Sequence, residues 1–169
     1  LAIEGPVKVG GKQIEARLVQ QLLNDIGDDP DQLPILQHAL MRTWDLFEER
    51  GGQGALDLKH YQATGGMGEA LSRHADEVYS ELPGNEHKRI AEKLFKSLTE
   101  KVDANRGIRR PMQLAELHEI CGGEESHLRE VLDAFRKTGC TFLMPAGESE
   151  IKTKTVIDIS HESLMRAWR

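Results

Sequence analysis

The sequence predicts a mainly α-helical fold, with a helical bundle followed by a second helical domain that ends in a small β-hairpin. Most apolar residues recur at spacings of three and four, which is the period of amphipathic helices. Aromatic residues make up 5% and charged residues 30% of the 169 positions, a composition typical of helical globular proteins. A β-branched run, Val156, Ile157 and Ile159, lies near the end of the chain and favours a strand there.

The charge balance limits the classes of partner. The chain has 22 basic and 28 acidic residues and a formal net charge of −6, which disfavours a nucleic-acid or anionic-membrane surface. No apolar run approaches the roughly 18–20 residues of a membrane span. The start of the chain has no signal-peptide pattern and no initiator Met. We therefore expect a cytoplasmic protein of which this chain is a piece.

Residues 1–63 are predicted to form the first helical domain. Residues 1–12 are turn-rich, because Gly5-Pro6 and Gly10-Gly11 punctuate them. Pro34 falls in the first turn of the longest helix, where a missing N–H costs little, and Gly51-Gly52 ends that helix. The predicted helical segments are residues 13–26, 31–50 and 56–64.

Residues 64–169 are predicted to form the second domain. Two helices, over residues 67–82 and 86–101, are joined by a short connection and should form a helical hairpin. Residues 101–110 are polar and irregular, and they hold the basic cluster Arg106, Arg109 and Arg110. A solvated loop, a short strand, and a phosphate or interdomain contact all remain open for this cluster.

The rest of this domain follows the winged-helix order. Helices are predicted over residues 111–121 and 124–137, a strand over 140–144, a turn over 145–148, and a returning strand over 151–160. A helical turn followed by a β-hairpin is the order of a winged helix. We therefore expect a helical domain over residues 1–63 and a winged-helix domain over residues 64–169.

Many winged helices read DNA with the second helix of the turn. Here that helix carries a net charge of −1, whereas a groove-reading helix is rich in Lys and Arg that neutralise phosphates. Its charged residues are Glu124, Glu125, Glu130 and Asp133 against Arg129, Arg136 and Lys137. We therefore expect no nucleic-acid partner, and a DNA-binding regulator is the third-ranked function.

Enzymatic motifs are incomplete in this chain. Gly11-Lys12 lacks the spacing and the hydroxyl residue of a phosphate-binding P-loop. His161-Glu162 begins an H-E-x-x-H motif, but Met165 stands where the second zinc ligand would be. Cys121 and Cys140 have no C-x-x-C spacing, so two buried thiols are expected. We expect no catalytic residue and no metal ligand in this chain.

The segment 155–169 is the most informative. Its β-branched run should lead directly into a helix, with Ser160 as the N-cap and Glu162 in the first turn. His161 would then lie at a helix N-terminus, where unpaired backbone N–H groups favour anions. The position is chemically suited to contact a phosphate.

Two segments also carry a family resemblance. Ser160 to Trp168, S-H-E-S-L-M-R-A-W, resembles the end of the winged helix in STAND-type NTPases, which are signalling ATPases of the AAA+ group. It is similar to the bacterial branch called novel STAND NTPase 1, often fused to WD40 repeats. Leu33 to Leu40, L-P-I-L-Q-H-A-L, resembles the L-P-L-L-x-x-A-L of that branch and the Gly-Leu-Pro-Leu motif of the related NB-ARC proteins.

The resemblance covers the helical lid and winged helix only, and it implies a nucleotide switch. Pro34 would pack on the adenine of bound ATP or ADP, and His161, matching the His of the NB-ARC Met-His-Asp motif, would contact the β-phosphate. Magnesium and most of the nucleotide would be bound by an upstream domain with the Walker motifs, so this chain alone should not hydrolyse ATP. The implied partners are that upstream domain, a downstream repeat domain such as a WD40 array, and further copies on activation.

The alternative function is a helical and winged-helix adaptor for protein–protein interaction, with no nucleotide role. A P-loop sequence immediately upstream in the parent protein would discriminate between the two, because only the switch requires it.

Overall fold

The computed structural model describes residues 3–27, 32–101, 107–147 and 149–168. The fold is mainly helical, as predicted, with a few small sheets. The chain divides into two compact units, Leu1–Arg73 and His74–Arg169. The predicted boundary after residue 63 stays a prediction. Within the described residues, no helix combines the length and the apolar character that crossing a membrane requires.

The first unit is a helical assembly with one parallel pair of very short strands. Gln13 pairs with Ala55, and Ile14 pairs with Leu56. Its elements are α1 (Glu4–Val9), β1 (Gln13–Ile14), α2 (Ala16–Ile26), α3 (Leu33–Glu49), β2 (Ala55–Leu56), α4 (Leu58–Ala63) and the start of α5 (Gly66–Glu81).

Two predictions for this unit are wrong. The segment predicted to be turn-rich, residues 1–12, contains helix α1. Gly5 and Pro6 occupy the first turn of this helix, where Pro is tolerated. The helix predicted from residue 13 starts at Ala16, because Gln13 and Ile14 pair with β2 and the Glu15 N–H donates to the Leu56 carbonyl at 2.9 Å. Residues 28–31, at the junction of the helices predicted over residues 13–26 and 31–50, lie outside the described residues.

Apolar side chains from every helix of the first unit meet in one core. Trp44 of α3 lies at its edge and closely approaches Gly10 at the end of α1. The fully buried members include Leu18, Leu22, Ala39, Phe47 and Leu56. Burial of such side chains is the main favourable term in folding.

A polar contact ties α2 to the start of α4. Arg17 forms a bidentate pair with Asp57, with Nε to Oδ1 at 2.6 Å, and this pair lowers the pKa of Asp57. Asp57 is also the N-cap of α4, and His60 Nδ1 accepts from the Asp57 N–H at 3.0 Å to complete a capping box. One carboxylate therefore serves a helix terminus and a contact between two helices.

His38, on α3, is held in its neutral form. Burial, with the nearby Arg42 charge second, lowers its pKa from 6.5 to about 4. A neutral imidazole in the fold means that the unfolded chain binds a proton more readily than the folded chain.

The second unit combines α-helices with an antiparallel hairpin and a three-stranded antiparallel sheet. The sheet has the order β5–β7–β6, with Met112 opposite Ile157 and Leu143 opposite Ile159. The elements after α5 are α6 (Asn85–Ser97), β3 (Thr99–Lys101), β4 (Gly107–Arg109), β5 (Met112–Gln113), α7 (Leu114–Cys121), α8 (Glu125–Arg136), β6 (Leu143–Met144), β7 (Val156–Ile159) and α9 (Glu162–Ala167).

Strand pairing shifts several predicted boundaries in this unit. The helix predicted to residue 101 ends at Ser97, because residues 99–101 pair with β4. The helix predicted from residue 111 begins at Leu114, after β5 pairs with β7. The returning strand predicted from residue 151 starts at Val156, because the Thr155 N–H donates to the Lys152 carbonyl at 2.8 Å in a turn.

Arg136 is the buried charge of this unit and is only 3% exposed. Its Nε donates to the Pro145 carbonyl at 2.9 Å, and its Nη2 donates to the Ser149 carbonyl at 2.6 Å. Its Nη1 pairs with Asp133 at 2.8 Å. The guanidinium therefore connects α8 to the β6–β7 connection, and the element order around it is compatible with the predicted winged helix.

Gly10→Ala tests the contact between α1 and α3. The backbone φ of Gly10 is −71°, which alanine tolerates, but an alanine Cβ would lie 2.5 Å from the Trp44 ring. We expect a loss of about 1–3 kcal/mol in the free energy of unfolding and a shifted Trp44 emission maximum. Gly5→Ala, with no atom within 4 Å of the new Cβ, is the control and should not destabilise. Equal effects of the two variants would contradict the packing argument.

The neutral state of His38 predicts an acid-sensitive first unit. Its folded pKa of about 4 lies below the unfolded value of 6.5, so the stability it contributes is present above pH 6.5 and is lost as pH falls toward 4. Between about pH 7.5 and pH 5 we expect the free energy of unfolding to fall by about 2 kcal/mol from this group. Urea denaturation followed by Trp44 fluorescence in a Trp168→Phe background measures it. His38→Gln should reduce the pH dependence by that amount, and an unchanged dependence would rule out the assignment.

Candidate functional site

Pro34 lies in the first turn of α3 in the first unit, as predicted. Proline at this position leaves no donor unpaired, because the first N–H groups of a helix have no partner within the helix. Pro34 and Ile35 are half-buried, while Leu33 is 51% exposed. The start of α3 therefore presents apolar surface to solvent, with the neutral His38 one turn further along the helix.

His161 lies in the second unit, at the junction between β7 and α9. It is itself the N-cap of α9, so the prediction that Ser160 caps this helix is wrong. His161 Nδ1 accepts from the Ser163 N–H at 3.1 Å and from the Ser163 hydroxyl at 2.8 Å. The imidazole ring reaches this N–H group because the backbone of His161 is extended, with φ −150° and ψ 141°.

This cap determines the tautomer of the imidazole. A ring nitrogen that accepts from a backbone N–H carries no proton, so the proton of neutral His161 lies on Nε2. Ser163 is buried and His161 is half-buried. In the part of the chain that the structure describes, no group hydrogen-bonds to Nε2. His161 thus has an N–H donor available at the end of a fixed ring.

Aromatic packing holds the far end of α9. The Trp168 Nε1–H donates to Asp76 at 2.8 Å, and the Trp168 ring contacts Phe95 and Phe135 with centroid distances of 4.9 and 5.7 Å. Leu164 is buried between these two ends. The short helix is therefore fixed by its cap, by one apolar side chain and by a terminal tryptophan.

The predicted basic cluster is only partly described. Arg106 lies outside the described residues, and Arg109 contacts the strand that leads to His161. Its Nη1 donates to Asp158 Oδ2 at 3.0 Å and to the Ile159 carbonyl at 3.1 Å. Of the interpretations left open for this cluster, the short strand applies to Arg109. This residue ends β4, and its side chain contacts β7.

The sequence did not reveal the roles of Arg109, Arg136 and Ser163. Arg109 and Arg136 donate to backbone carbonyls, which have no side-chain signature in a sequence. The serine two residues after His161 was a usable signal, since a capped N-terminal turn often places a hydroxyl there.

The described residues contain neither a metal-binding cluster nor a thiol that is activated for reaction. No group of three or more His, Cys, Asp or Glu side chains is placed to hold a metal ion there. Cys121 and Cys140 are buried cysteines that form no disulfide in the described residues, as the expectation of two buried thiols requires. Burial raises the pKa of the Cys121 thiol, which disfavours the reactive thiolate. The two predicted contact residues thus lie in separate units, Pro34 in the first and His161 in the second.

Comparison with known proteins identifies the family. The sequence model of the family described as Novel STAND NTPase 1 matches residues 1–169. Neither a curated protein nor a solved structure matches the chain. The match spans the whole chain, including both segments on which the resemblance was based. The chain belongs to the Novel STAND NTPase 1 family.

Proposed function

We propose that this chain is the C-terminal regulatory half of a STAND signalling NTPase, a helical lid and a winged helix that contact the bound nucleotide. It performs no catalysis alone. Its role is to hold the protein in the ADP-bound state and to release it when ATP replaces ADP. The observation that carries the proposal is the available Nε2–H donor of His161.

The donor state of His161 suits a phosphate oxygen. The Ser163 N–H holds Nδ1 as the acceptor, so Nε2 donates without any change of protonation. A phosphate is an acceptor-only group, and a hydrogen bond to it is charge-assisted. In this proposal His161 contacts the β-phosphate of ADP, while the upstream nucleotide-binding domain holds the magnesium ion and most of the phosphate contacts.

The start of α3 suits a flat apolar ring. Pro34 is rigid and half-buried, and the adjacent Leu33 is exposed. A proline ring packs on an aromatic base without loss of side-chain entropy. In this proposal Pro34 packs on the adenine.

The energy of one such contact is sufficient for a switch. A hydrogen bond to a charged group contributes about 1.5–3 kcal/mol, and a contact made in one state only shifts a two-state equilibrium by roughly 10- to 150-fold. The released state would expose an oligomerisation surface. The partners we propose are the upstream domain, a downstream repeat domain such as a WD40 array, and other copies of the protein, all in the cytoplasm.

The basic side chains of α8 favour this proposal over DNA reading. Arg136 is buried against Pro145 and Ser149. Arg129 pairs with Glu125 and donates to the Ile151 carbonyl at 2.6 Å. Neither guanidinium is available to neutralise a DNA phosphate without losing these contacts. The adaptor without a nucleotide role remains the outcome if the full-length protein carries no nucleotide.

His161 substitutions in the full-length protein test the phosphate contact. His161→Ala and His161→Asn should both release preloaded ADP about tenfold faster or more, since each removes the Nε2–H donor. ADP content after purification and release into excess unlabelled ADP measure this. Wild-type release rates in both variants would refute the contact.

The two variants also separate the contact from helix capping. Asparagine is a good N-cap, so His161→Asn keeps the acceptor for the Ser163 N–H, whereas His161→Ala loses about 0.5–2 kcal/mol of helix stability. Faster ADP release in the Ala variant alone would assign the effect to capping. If both variants release ADP faster to a similar extent and only His161→Ala loses stability, the effect is assigned to the phosphate contact.

Pro34→Ala tests the adenine contact. Removal of about 40 Å² of apolar contact area should weaken ADP binding by about 1 kcal/mol, or roughly fivefold. Alanine is a better helix former than proline, so α3 should not be destabilised. Leu23→Ala is the control, because it shortens an exposed apolar side chain, 52% exposed, on a different helix. Isothermal titration calorimetry of nucleotide-free full-length protein measures the ADP affinity of both variants. An equal loss of affinity would contradict a contact between Pro34 and the adenine.

A further inference from the structure

One arginine holds the backbone directly before His161. Arg109, the last residue of β4, donates from a single nitrogen, Nη1, to Asp158 Oδ2 at 3.0 Å and to the Ile159 carbonyl at 3.1 Å. The Ile159 carbonyl lies two residues before the imidazole. The contact therefore joins the β3–β4 hairpin to the end of the strand from which His161 projects.

The acceptors of this arginine are themselves fixed. Asp158 Oδ1 accepts from the Ile159 N–H at 2.8 Å, so the residue whose carbonyl Arg109 contacts is also held through its N–H by the Asp158 carboxylate. Ile159 is buried, and the next residue, Ser160, donates its N–H to the Phe142 carbonyl at 2.9 Å. The segment is thus held from the β6 side by the backbone and from the β4 side by Arg109.

The strength of this contact indicates a local role. The Arg109 and Asp158 side chains are 39% and 23% exposed, and ion pairs of that exposure contribute little to global stability. The core of the unit is formed by other residues, such as Leu128 and Phe135. Loss of the contact should leave the fold intact and loosen the few residues that place the imidazole.

We infer that Arg109 is a positioning residue for His161, which sets the place of the Nε2–H donor through the backbone of Asp158 and Ile159. The inference rests on the proposed function, because the effect of this placement is expressed as retention of ADP. It also assigns a role to the β3–β4 hairpin, which the family match does not address.

A double-mutant cycle in the full-length protein tests the inference. Arg109→Ala should accelerate release of preloaded ADP by about threefold to tenfold, a part of the effect of losing the His161 hydrogen bond itself. Arg109→Ala combined with His161→Ala should release ADP no faster than His161→Ala alone, because both changes act on one contact. Multiplied effects would mean that Arg109 acts independently, and would overturn the inference.

Two further variants separate charge from position. Arg109→Lys keeps a donor for both acceptors and should retain the wild-type release rate. Arg166→Ala is the matched control, since it removes an exposed ion pair with Glu162 in α9, of 3.7 Å, without touching the backbone before His161. It should also release ADP at the wild-type rate, and acceleration as large as that of Arg109→Ala would overturn the inference.

Amide hydrogen exchange of residues 160–164 in the same proteins distinguishes failure of the positioning role from failure of the proposed function. If His161→Ala accelerates release and Arg109→Ala does not, the positioning role is overturned and the proposed function stands. If His161→Ala has no effect, the proposed function fails, and exchange alone decides the positioning role. Faster exchange at residues 160–164 in Arg109→Ala, with unchanged exchange in α8, then supports it, and unchanged exchange at both places overturns it.

Discussion

The second unit depends on the buried guanidinium of Arg136. A charge removed from water is costly unless every donor finds an acceptor. Arg136 meets this demand with the Pro145 and Ser149 carbonyls and the Asp133 carboxylate. Pro145 and Ser149 lie on the connection that leads from β6 to the returning strand β7, so satisfying one buried cation also holds this connection against α8. The register of that strand in turn places His161 at its end.

Arg109 and Arg136 illustrate different physical regimes. Arg136 is buried, so its loss would leave carbonyls unpaired and would affect the whole unit. Arg109 is partly exposed, so its contact costs little to break and affects only the segment that it holds. The proposed switch would need both kinds of contact, because the frame must persist while the contact residue changes partners.

Periodic helices could be predicted from the sequence, and pairings between distant residues could not. The helices α3, α5 and α8 lie within about two residues of their predicted ranges because apolar spacing and Pro34 define them locally. Strands of two residues, such as β1, have no local sequence signal, since β1 forms only by pairing with the distant residues of β2, such as Ala55. At the site, the sequence indicated His161 but not its cap, because Ser160 and His161 are both able to cap a helix.

The first unit is closed by contacts that span forty residues. Lys12 donates to the Gly52 carbonyl at 2.5 Å, and Arg17 pairs with Asp57. Such sequence-distant contacts must overcome loop-closure entropy before they stabilise anything, and they slow folding. During synthesis, α1 and α2 therefore emerge from the ribosome well before the residues that complete their fold. Any truncated protein that ends before Asp57 would leave the apolar faces of these helices uncovered, so a shortened first unit should aggregate rather than fold.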